Sequence, residues 1–375
     1  MNILIAPNAF KNSLTANAAA EAISKGLQQS KLSCSITCFP VGDGGDGTAA
    51  LLVKHFTGKM INAVVHDPLG RKINTSFGLT DNDKTAVIEL ADASGLRLLE
   101  PAEYDPLHAT TYGTGELIKL ALDKGVQKII ICIGGSATVD AGTGIMQALG
   151  IQFCDAEGKE LQSLPASLIK LNGIERTGLD KHLLHAEIIV LCDVDNSLLG
   201  QHGSAHFFGP QKGASKDDVH LLENCLMRLC TVIYDETGNN IAAIKHGGAA
   251  GGVAAALQHF LHAKLVTGID YFLDITGFEN VLDGADLVIT GEGSIDTQTL
   301  QGKGPFGVAK RAKQKGKKVI GLAGKVPLVT NEQLNKYFDE LLSINNEVME
   351  TKLAMQHTYA NLERTARMLG DKLSI

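Results

Sequence analysis

Short apolar segments alternate with helix-length amphipathic segments along almost the whole chain. Parallel strands need crossover helices between them, so this alternation predicts an α/β fold. A chain of 375 residues is too long for one ordinary core and is long enough for two domains. The predicted strands cover residues 2–6, 35–40, 128–133, 188–192, 287–290 and 319–323.

The pattern changes between about residues 60 and 110, where shorter β-rich pieces replace the long crossover segments. This change favours a mixed sheet in a second domain. Most of the predicted strands end at glycine or aspartate, and the carboxyl ends of strands line the ligand crevice of an open parallel sheet. Functional residues are therefore expected in the loops that follow the strands.

Composition argues against several classes of protein. The net charge is −7 with no long basic stripe, which argues against a nucleic-acid partner. No apolar run approaches the roughly 18 residues of a membrane helix, and no membrane partner is expected. The first residues lack the basic and apolar regions of a signal peptide, so a cytoplasmic location is expected. The seven cysteines include no CxxC pair and are interpreted as reduced thiols.

The segment VGDGGDGTAA has the glycine spacing of a dinucleotide-binding turn, formed by Gly42, Gly44 and Gly47. Asp43 and Asp46 would, however, repel a pyrophosphate. Two carboxylates beside backbone N–H groups better suit a polyhydroxylated substrate, or a hydrated Mg²⁺ held together with a phosphate. The alternative is a structural turn whose aspartates cap the following helix.

A second glycine-rich segment, IGGSAT, follows the most apolar predicted strand. Its glycines and hydroxyls, at Gly134, Gly135, Ser136 and Thr138, are what a phosphate-binding loop requires. The sequence contains no Walker A motif, so ATP would be bound without that loop. A tight strand-to-helix turn is the alternative interpretation.

Two further strand ends carry charged residues. Asp193 and Asp195 follow the strand at 188–192 and could accept a hydroxyl proton or bind Mg²⁺, although a helix cap is the alternative. The segment 291–307, with the sequence GEGSIDTQTLQGKGPFG, contains Glu292, Asp296 and Lys303. We expect it to be a long flexible loop that closes over a metal-bound phosphate, with an ordinary surface loop as the alternative.

Two basic residues are candidate partners for an anion. Lys11 lies just beyond the first predicted strand, where its ammonium could neutralise a carboxylate or a transferring phosphoryl group. Arg71, in HDPLGR, is a second candidate for binding a carboxylate. A lone basic residue is more often solvated, so position alone does not decide the role of either one.

Six blocks in order resemble the bacterial glycerate kinase family (glycerate kinase type I) over nearly the whole chain: PNAFKNSLTA, GDGGDGT, GGSATVDAGTGIMQALG, CDVDN with FGPQKGA, GAAGGVAAAL and TGEGSIDTQTLQGKGPFGVAKRAK. The resemblance implies two α/β domains with a catalytic cleft between them. A discontinuous Rossmann-like domain would comprise 1–60 and 285–375, and a second α/β domain would comprise 61–284. Asn8, Val139 and Asp46 depart from the family's usual Asp, Asn and Glu.

The resemblance implies a kinase that phosphorylates glycerate with ATP and Mg²⁺, with 2-phosphoglycerate favoured over 3-phosphoglycerate. Each candidate residue then has an expected role: Asp193 and Lys11 in catalysis; Asp43, Asp46, Lys11 and Arg71 in substrate binding; Gly134, Gly135, Ser136, Thr138 and Lys303 in nucleotide binding; Asp296 and Glu292 in metal binding. Two alternatives remain open, a non-catalytic sensor of sugar acids or nucleotides and a nucleotide-dependent dehydrogenase of small hydroxy acids. The expected assembly is a monomer or a homodimer.

Overall fold

A computed structural model describes residues 1–327, 332–345 and 350–374 and has an α/β fold. The chain divides into two compact units. Unit 1 comprises residues 1–43 and 267–375, and unit 2 comprises residues 44–266. The chain passes from unit 1 to unit 2 between Asp43 and Gly44, inside the GDGGDG segment.

The strands, in chain order, are β1 (Asn2–Ile5), β2 (Ser35–Cys38), β3 (Lys59–His66), β4 (Lys72–Thr80), β5 (Thr85–Glu89), β6 (Lys128–Cys132), β7 (Gln152–Cys154), β8 (Gly173–Glu175), β9 (Glu187–Cys192), β10 (Lys264–Thr267), β11 (Leu287–Ser294), β12 (Lys318–Lys325) and β13 (Glu340–Ser343). The α-helices are α1 (Ala16–Gln28), α2 (Thr48–His55), α3 (Ala91–Ser94), α4 (Tyr112–Asp123), α5 (Thr143–Ala148), α6 (Lys216–Thr237), α7 (Val253–Leu261), α8 (Gly268–Ile275), α9 (Phe278–Leu282), α10 (Gly304–Gln314), α11 (Glu332–Asn335), α12 (Thr351–Gln356) and α13 (Thr358–Leu373). Within the described ranges, no helix combines the length and the apolar character needed to cross a membrane.

Unit 1 contains a five-stranded sheet in the order β13-β12-β11-β1-β2, and its strand pairs are parallel. Strand β1, which pairs with β11 and β2, places Ile3 and Ile5 in a buried apolar core. Helix α1 begins at Thr15, whose side chain accepts a hydrogen bond from the Ala18 amide at 3.2 Å. Helices α1 and α13 can pack closely because Gly26 has no side chain. A Cβ at this position would lie only 2.1 Å from the Glu363 carbonyl oxygen.

Unit 2 contains a six-stranded mixed sheet in the order β10-β9-β6-β5-β4-β3. Strands β3, β4 and β5 pair antiparallel, whereas β5, β6 and β9 pair parallel. The parallel strands are apolar along nearly their whole length because both faces of this part of the sheet are buried. The predicted α/β class, with one parallel and one mixed sheet, is confirmed.

The prediction of a long flexible loop at 291–307 is wrong for most of this segment. Strand β11 continues to Ser294, which pairs with Lys325 of β12. A 3₁₀ turn at Thr297–Gln301 follows, and helix α10 begins at Gly304. The glycines of GEGS suggested a loop, but the neighbouring strand β12 is long enough to extend the pairing across them.

Candidate active site

In unit 1, residues after two strands and the first residue of a helix meet at Asp43. Asn8 follows β1, Asp43 follows β2, and Gly304 begins helix α10. Asn8 Nδ2 donates to Asp43 Oδ2 at 2.7 Å, and the Gly304 amide donates to the same oxygen at 3.1 Å. A Cβ on Gly304 would lie 2.8 Å from Asn8 Nδ2, so glycine permits this close approach. Asp43 therefore accepts a hydrogen bond at the N-terminus of α10, a helix far from it in sequence.

Glu292 lies in the same unit near the end of β11 and is buried. Burial raises its pKa to about 7, with the Lys303 ammonium acting against burial and the charges of Asp43 and Asp296 adding to it. Thr299 Oγ1 donates to Glu292 Oε1 at 2.9 Å. Unit 1 thus brings together four of the predicted residues, three carboxylates and the lysine at the N-cap of α10.

Asp296 and Lys11 are two further predicted site residues that belong to unit 1. Asp296 Oδ1 accepts from the Gln298 amide at 2.8 Å and so caps the turn at Thr297–Gln301. Lys11 is exposed, and its backbone nitrogen would lie 3.8 Å from a Cβ on Gly293. The backbone at Lys11 therefore runs beside the carboxyl end of β11.

In unit 2, residues 44–45 of the GDGGDG segment and the 134–138 loop pack backbone against backbone. The Gly134 amide donates to the Gly44 carbonyl at 3.0 Å, and a Cβ on Gly134 would lie 2.7 Å from the Gly45 Cα. A Cβ on Gly44 would lie 2.9 Å from the Leu191 carbonyl oxygen. These glycines let two glycine-rich segments approach the end of β9, directly before Asp193.

Asp46 and Glu89 lie beside this backbone contact. A Cβ on Gly135 would lie 2.9 Å from Asp46 Oδ1, and among the described residues this buried oxygen has no hydrogen-bond partner. Glu89 ends β5 and accepts from the amides of Gly47 at 3.1 Å and Ala49 at 2.8 Å. Glu89, which sequence analysis missed, therefore supplies the hydrogen bonds expected from a cap of α2.

Burial is the main cause of a raised pKa of Glu89, which reaches about 7. The charges of Asp92 and Asp46 raise it further, while the hydrogen bonds from the Gly47 and Ala49 amides lower it. In the sequence, Glu89 stands out only as a carboxylate inside the apolar segment AVIEL. Such a residue is costly to bury and needs specific partners.

Lys212 and Asp140 are two more buried charged residues that sequence analysis did not single out. Lys212 Nζ donates to Ser136 Oγ at 2.7 Å and to the Thr138 carbonyl at 2.6 Å. Asp140 Oδ2 accepts from Thr111 Oγ1 at 2.7 Å. Both residues lie in segments that resemble the glycerate kinase family, FGPQKGA and GGSATVDAG. Nothing in the spacing of these segments showed that they contact each other.

Asp193 and Asp195 differ in their surroundings. Asp193 is half-buried and follows the buried Cys192 at the end of β9. Asp195 is 61% exposed, and its Oδ1 lies 3.2 Å from His246 Nδ1. The same His246 nitrogen lies 2.8 Å from the Val194 carbonyl. The structure therefore places Asp195 beside His246 and Asp193 at the strand end.

Arg71 lies in the turn between β3 and β4, where two carboxylates already bind its guanidinium. Its Nε donates to Asp67 Oδ2 at 2.6 Å, and its Nη1 donates to Glu103 Oε1 at 2.6 Å. These contacts with Glu103 and Asp67 raise the pKa of Arg71 above its ordinary value. A substrate carboxylate would therefore have to compete with Asp67 and Glu103 for the Arg71 guanidinium.

Glycine-rich loops and carboxylates at the strand ends of a parallel sheet are typical of α/β enzymes that bind phosphorylated ligands. The model of the glycerate kinase family matches residues 3–374. A glycerate kinase of Bacillus subtilis (strain 168) is 42% identical over 375 residues, covering 100% of this chain and 98% of that protein. A protein of Escherichia coli (strain K12) named glycerate 2-kinase is 41% identical over 375 residues, with coverage of 100% and 98%.

A crystal structure of a Salmonella typhimurium LT2 protein described as a glycerate kinase 2 matches with a TM-score of 0.84 and 41% identity, covering 100% of this chain and 98% of that one. The chain therefore belongs to the glycerate kinase family. It is accordingly a kinase, and its family supports phosphorylation of glycerate with a nucleotide as the second substrate.

Proposed function

We propose that this protein transfers the terminal phosphoryl group of ATP to the 2-hydroxyl of glycerate, giving ADP and 2-phosphoglycerate. The observation that carries this proposal is the packing of the GDGGDG segment against the 134–138 loop, with Gly134 donating to Gly44. Two glycine-rich backbones at the ends of strands suit a polyphosphate and a polar substrate. The name of the Escherichia coli relative, glycerate 2-kinase, supports transfer to the 2-hydroxyl.

The nucleotide phosphates would lie at the 134–138 loop, whose glycines allow backbone N–H groups to approach an anion. Gly135 has a φ of 74°, a conformation that a residue with a side chain rarely adopts. The hydroxyl of Ser136 adds a side-chain group to this loop. Lys303, at the N-cap of α10, is the proposed basic residue from unit 1.

Two carboxylates of unit 1 are the proposed ligands of a magnesium ion. Mg²⁺ prefers oxygen ligands, and the charges of Asp43 and Asp296 both raise the pKa of the buried Glu292. A bound cation would relieve this repulsion, so Glu292 and Asp296 are the residues proposed to hold it. When bound, magnesium would neutralise charge on the phosphates.

Asp193 is the proposed group that orients the glycerate hydroxyl or accepts its proton. It follows the buried strand β9, a rigid support for a side chain that must be placed accurately. Lys11 is proposed to neutralise the carboxylate of glycerate or the transferring phosphoryl group, since its side chain is exposed beyond β1. Most of the catalysis would then come from positioning and charge neutralisation.

The test is ADP release, followed in a coupled assay, when D-glycerate is added to the protein with MgATP. Turnover is expected, and ³¹P NMR of the product should show 2-phosphoglycerate. A 3-phosphoglycerate product would contradict the proposed position of transfer. Thermal stabilisation by ligands without turnover would favour a sensor, and a change in nicotinamide absorbance would favour a dehydrogenase.

A further inference from the structure

Lys212 is a buried lysine in the FGPQKGA segment, between the π-helical turn at Ser204–Phe208 and helix α6. Only 3% of its surface is exposed. Its Nζ donates to Ser136 Oγ at 2.7 Å and to the Thr138 carbonyl at 2.6 Å. The centroid of the Phe208 ring lies 5.7 Å from the same nitrogen. The ammonium is therefore held against the 134–138 loop.

This burial is costly for a charged group. Burial lowers the pKa of Lys212 to about 7, and the charge of Asp140 offsets only part of that effect. Asp140 is engaged elsewhere, because its two oxygens accept from Thr111 N, Thr111 Oγ1, Gly142 N and Gly144 N at 2.7–3.2 Å. Among the described residues, no carboxylate accepts a hydrogen bond from Lys212. A merely structural link between the two segments would not need a positive charge here.

The contact with Lys212 also fixes how the Ser136 hydroxyl can act. In its protonated form Lys212 only donates hydrogen bonds, so Ser136 Oγ then accepts from Lys212 and its own hydrogen remains for donation to another group. Thr138 Oγ1 is buried and has no hydrogen-bond partner among the described residues. The loop thus combines two hydroxyls with a buried positive charge, which together complement the oxygens of an anion.

We propose that Lys212 makes the 134–138 loop an anion site, by fixing Ser136 as a hydrogen-bond donor and by placing positive charge behind the loop for the polyphosphate of the nucleotide. This inference rests on the proposed function, because that function brings a nucleotide to the loop. Lys212 is a positioning residue in this account. It acts on the phosphates through Ser136 and the loop backbone.

The test compares Lys212→Met, Ser136→Ala and the double variant in the full chain. Inorganic tripolyphosphate is the binding probe in calorimetry, and KM is measured separately for MgATP and D-glycerate. Losing a charge-assisted hydrogen bond should weaken tripolyphosphate binding and raise the KM for MgATP by about 10-fold or more, with the KM for glycerate changed less than about 3-fold. If Lys212 acts through Ser136, the double variant should lose much less than the product of the two single losses.

Lys264→Met is the matched control, since Lys264 carries the same charge in unit 2 but forms an exposed ion pair with Glu187 at 2.7 Å. It should bind tripolyphosphate like the wild type. Unchanged binding in a folded Lys212→Met variant, fully additive losses, or an equal rise in both KM values would overturn the inference. If Lys212→Met does not fold, Lys212→Gln replaces it, because glutamine keeps an N–H donor without the charge. Lys212→Gln should show the same loss of tripolyphosphate binding. A wild-type affinity for tripolyphosphate in this variant would refute the inference.

The two proposals fail in different ways. A wild-type protein that binds tripolyphosphate but does not phosphorylate glycerate would refute the proposed function, and the tripolyphosphate comparison would still decide the role of Lys212. A wild-type protein that turns over glycerate but does not bind tripolyphosphate would overturn the inference about Lys212 alone.

Discussion

Individual residues of this protein differ in their surroundings even where they look alike in the sequence. Asp193 and Asp195 are two positions apart, yet one is half-buried at the end of β9 and the other is 61% exposed and paired with His246. A carboxylate that orients a hydroxyl or accepts its proton acts mainly in the transition state. Its loss should therefore lower kcat more than it affects nucleotide binding.

We expect Asp193→Asn to lower kcat by about 10²–10⁴ while ATP affinity stays nearly unchanged. The amide keeps the size of the carboxylate but cannot accept the proton. Asp195→Asn is the matched control and should stay within about tenfold of the wild type, since it changes only an exposed contact with His246. Steady-state kinetics and nucleotide titration measure both effects. An inactive Asp195→Asn with a normal Asp193→Asn would mean that the other carboxylate is the catalytic one.

Asp43→Asn tests whether Asp43 does more than accept hydrogen bonds at the start of α10. An asparagine oxygen can still accept from Asn8 and Gly304, so Tm should change little. If the charge of Asp43 serves substrate or magnesium, kcat/KM should fall by about tenfold or more, because a charge-assisted contact is lost. Thermal melts and glycerate kinetics give the two readings. Unchanged kinetics would leave Asp43 with a structural role.

We expect Glu89 to make stability depend on pH. Its pKa is about 7 in the folded protein against an ordinary value of 4.5 for a glutamate side chain, so the folded state holds this proton more tightly. The contribution of the protonated group is complete below pH 4.5 and is lost as the pH rises through 7. From the difference between these values, the loss is on the order of 3 kcal/mol.

Glu89→Gln should remove this dependence on pH, because glutamine does not ionise. Between pH 5 and 8 the wild type should lose stability relative to the variant, although glutamine can accept only one of the two amide hydrogen bonds. Urea unfolding of both proteins at several pH values measures the difference. Parallel stability curves would show that Glu89 does not titrate in this range.

At the scale of single elements, the ends of strands account for most of what the sequence could predict. Buried parallel strands are apolar on both faces, so β1, β6, β9 and β12 appear in the sequence as continuous apolar runs, and the loops after them were found with them. The contact between Lys212 and Ser136 joins residues 76 apart. It depends on tertiary packing, and no periodicity in the sequence contains it.

The corrected segment 291–307 leads to a prediction of its own. Amides of β11 up to Ser294 pair with β12 and should exchange slowly without ligand, whereas the turn at Thr297–Gln301 has fewer such bonds. We expect MgATP to slow exchange across 297–303 and to change exchange in β11 little. Hydrogen exchange followed by mass spectrometry resolves the two parts. Fast exchange in β11 without ligand would contradict the strand pairing described here.

At the scale of the whole molecule, the chain order of the two units is the feature that local sequence signals predict least well. The chain passes from unit 1 to unit 2 between Asp43 and Gly44 and returns to unit 1 after residue 266. Helix α2 belongs with unit 2 because it packs on β4, where a Cβ on Gly78 would lie 2.2 Å from a Val53 methyl carbon. A helix shows in sequence which of its faces is apolar, but not which sheet that face will cover.

Unit 2 is a continuous segment, 44–266, with a large apolar core of its own. We therefore expect this segment to fold when expressed alone, with dispersed NMR spectra and a cooperative urea transition. It contains the 134–138 loop and Lys212, so it should also bind tripolyphosphate. It should not phosphorylate glycerate, because the proposed magnesium ligands Glu292 and Asp296 belong to unit 1.

The full chain, assayed beside the segment, is the positive control for both binding and turnover. Lys212→Met in the isolated segment should reduce tripolyphosphate binding as it does in the full chain, since the contacts of Lys212 described here lie within unit 2. An unfolded segment would mean that unit 2 depends on unit 1 for stability. A folded segment that phosphorylates glycerate would show that Glu292 and Asp296 are not required, and the magnesium site would then have to be sought among the carboxylates of unit 2.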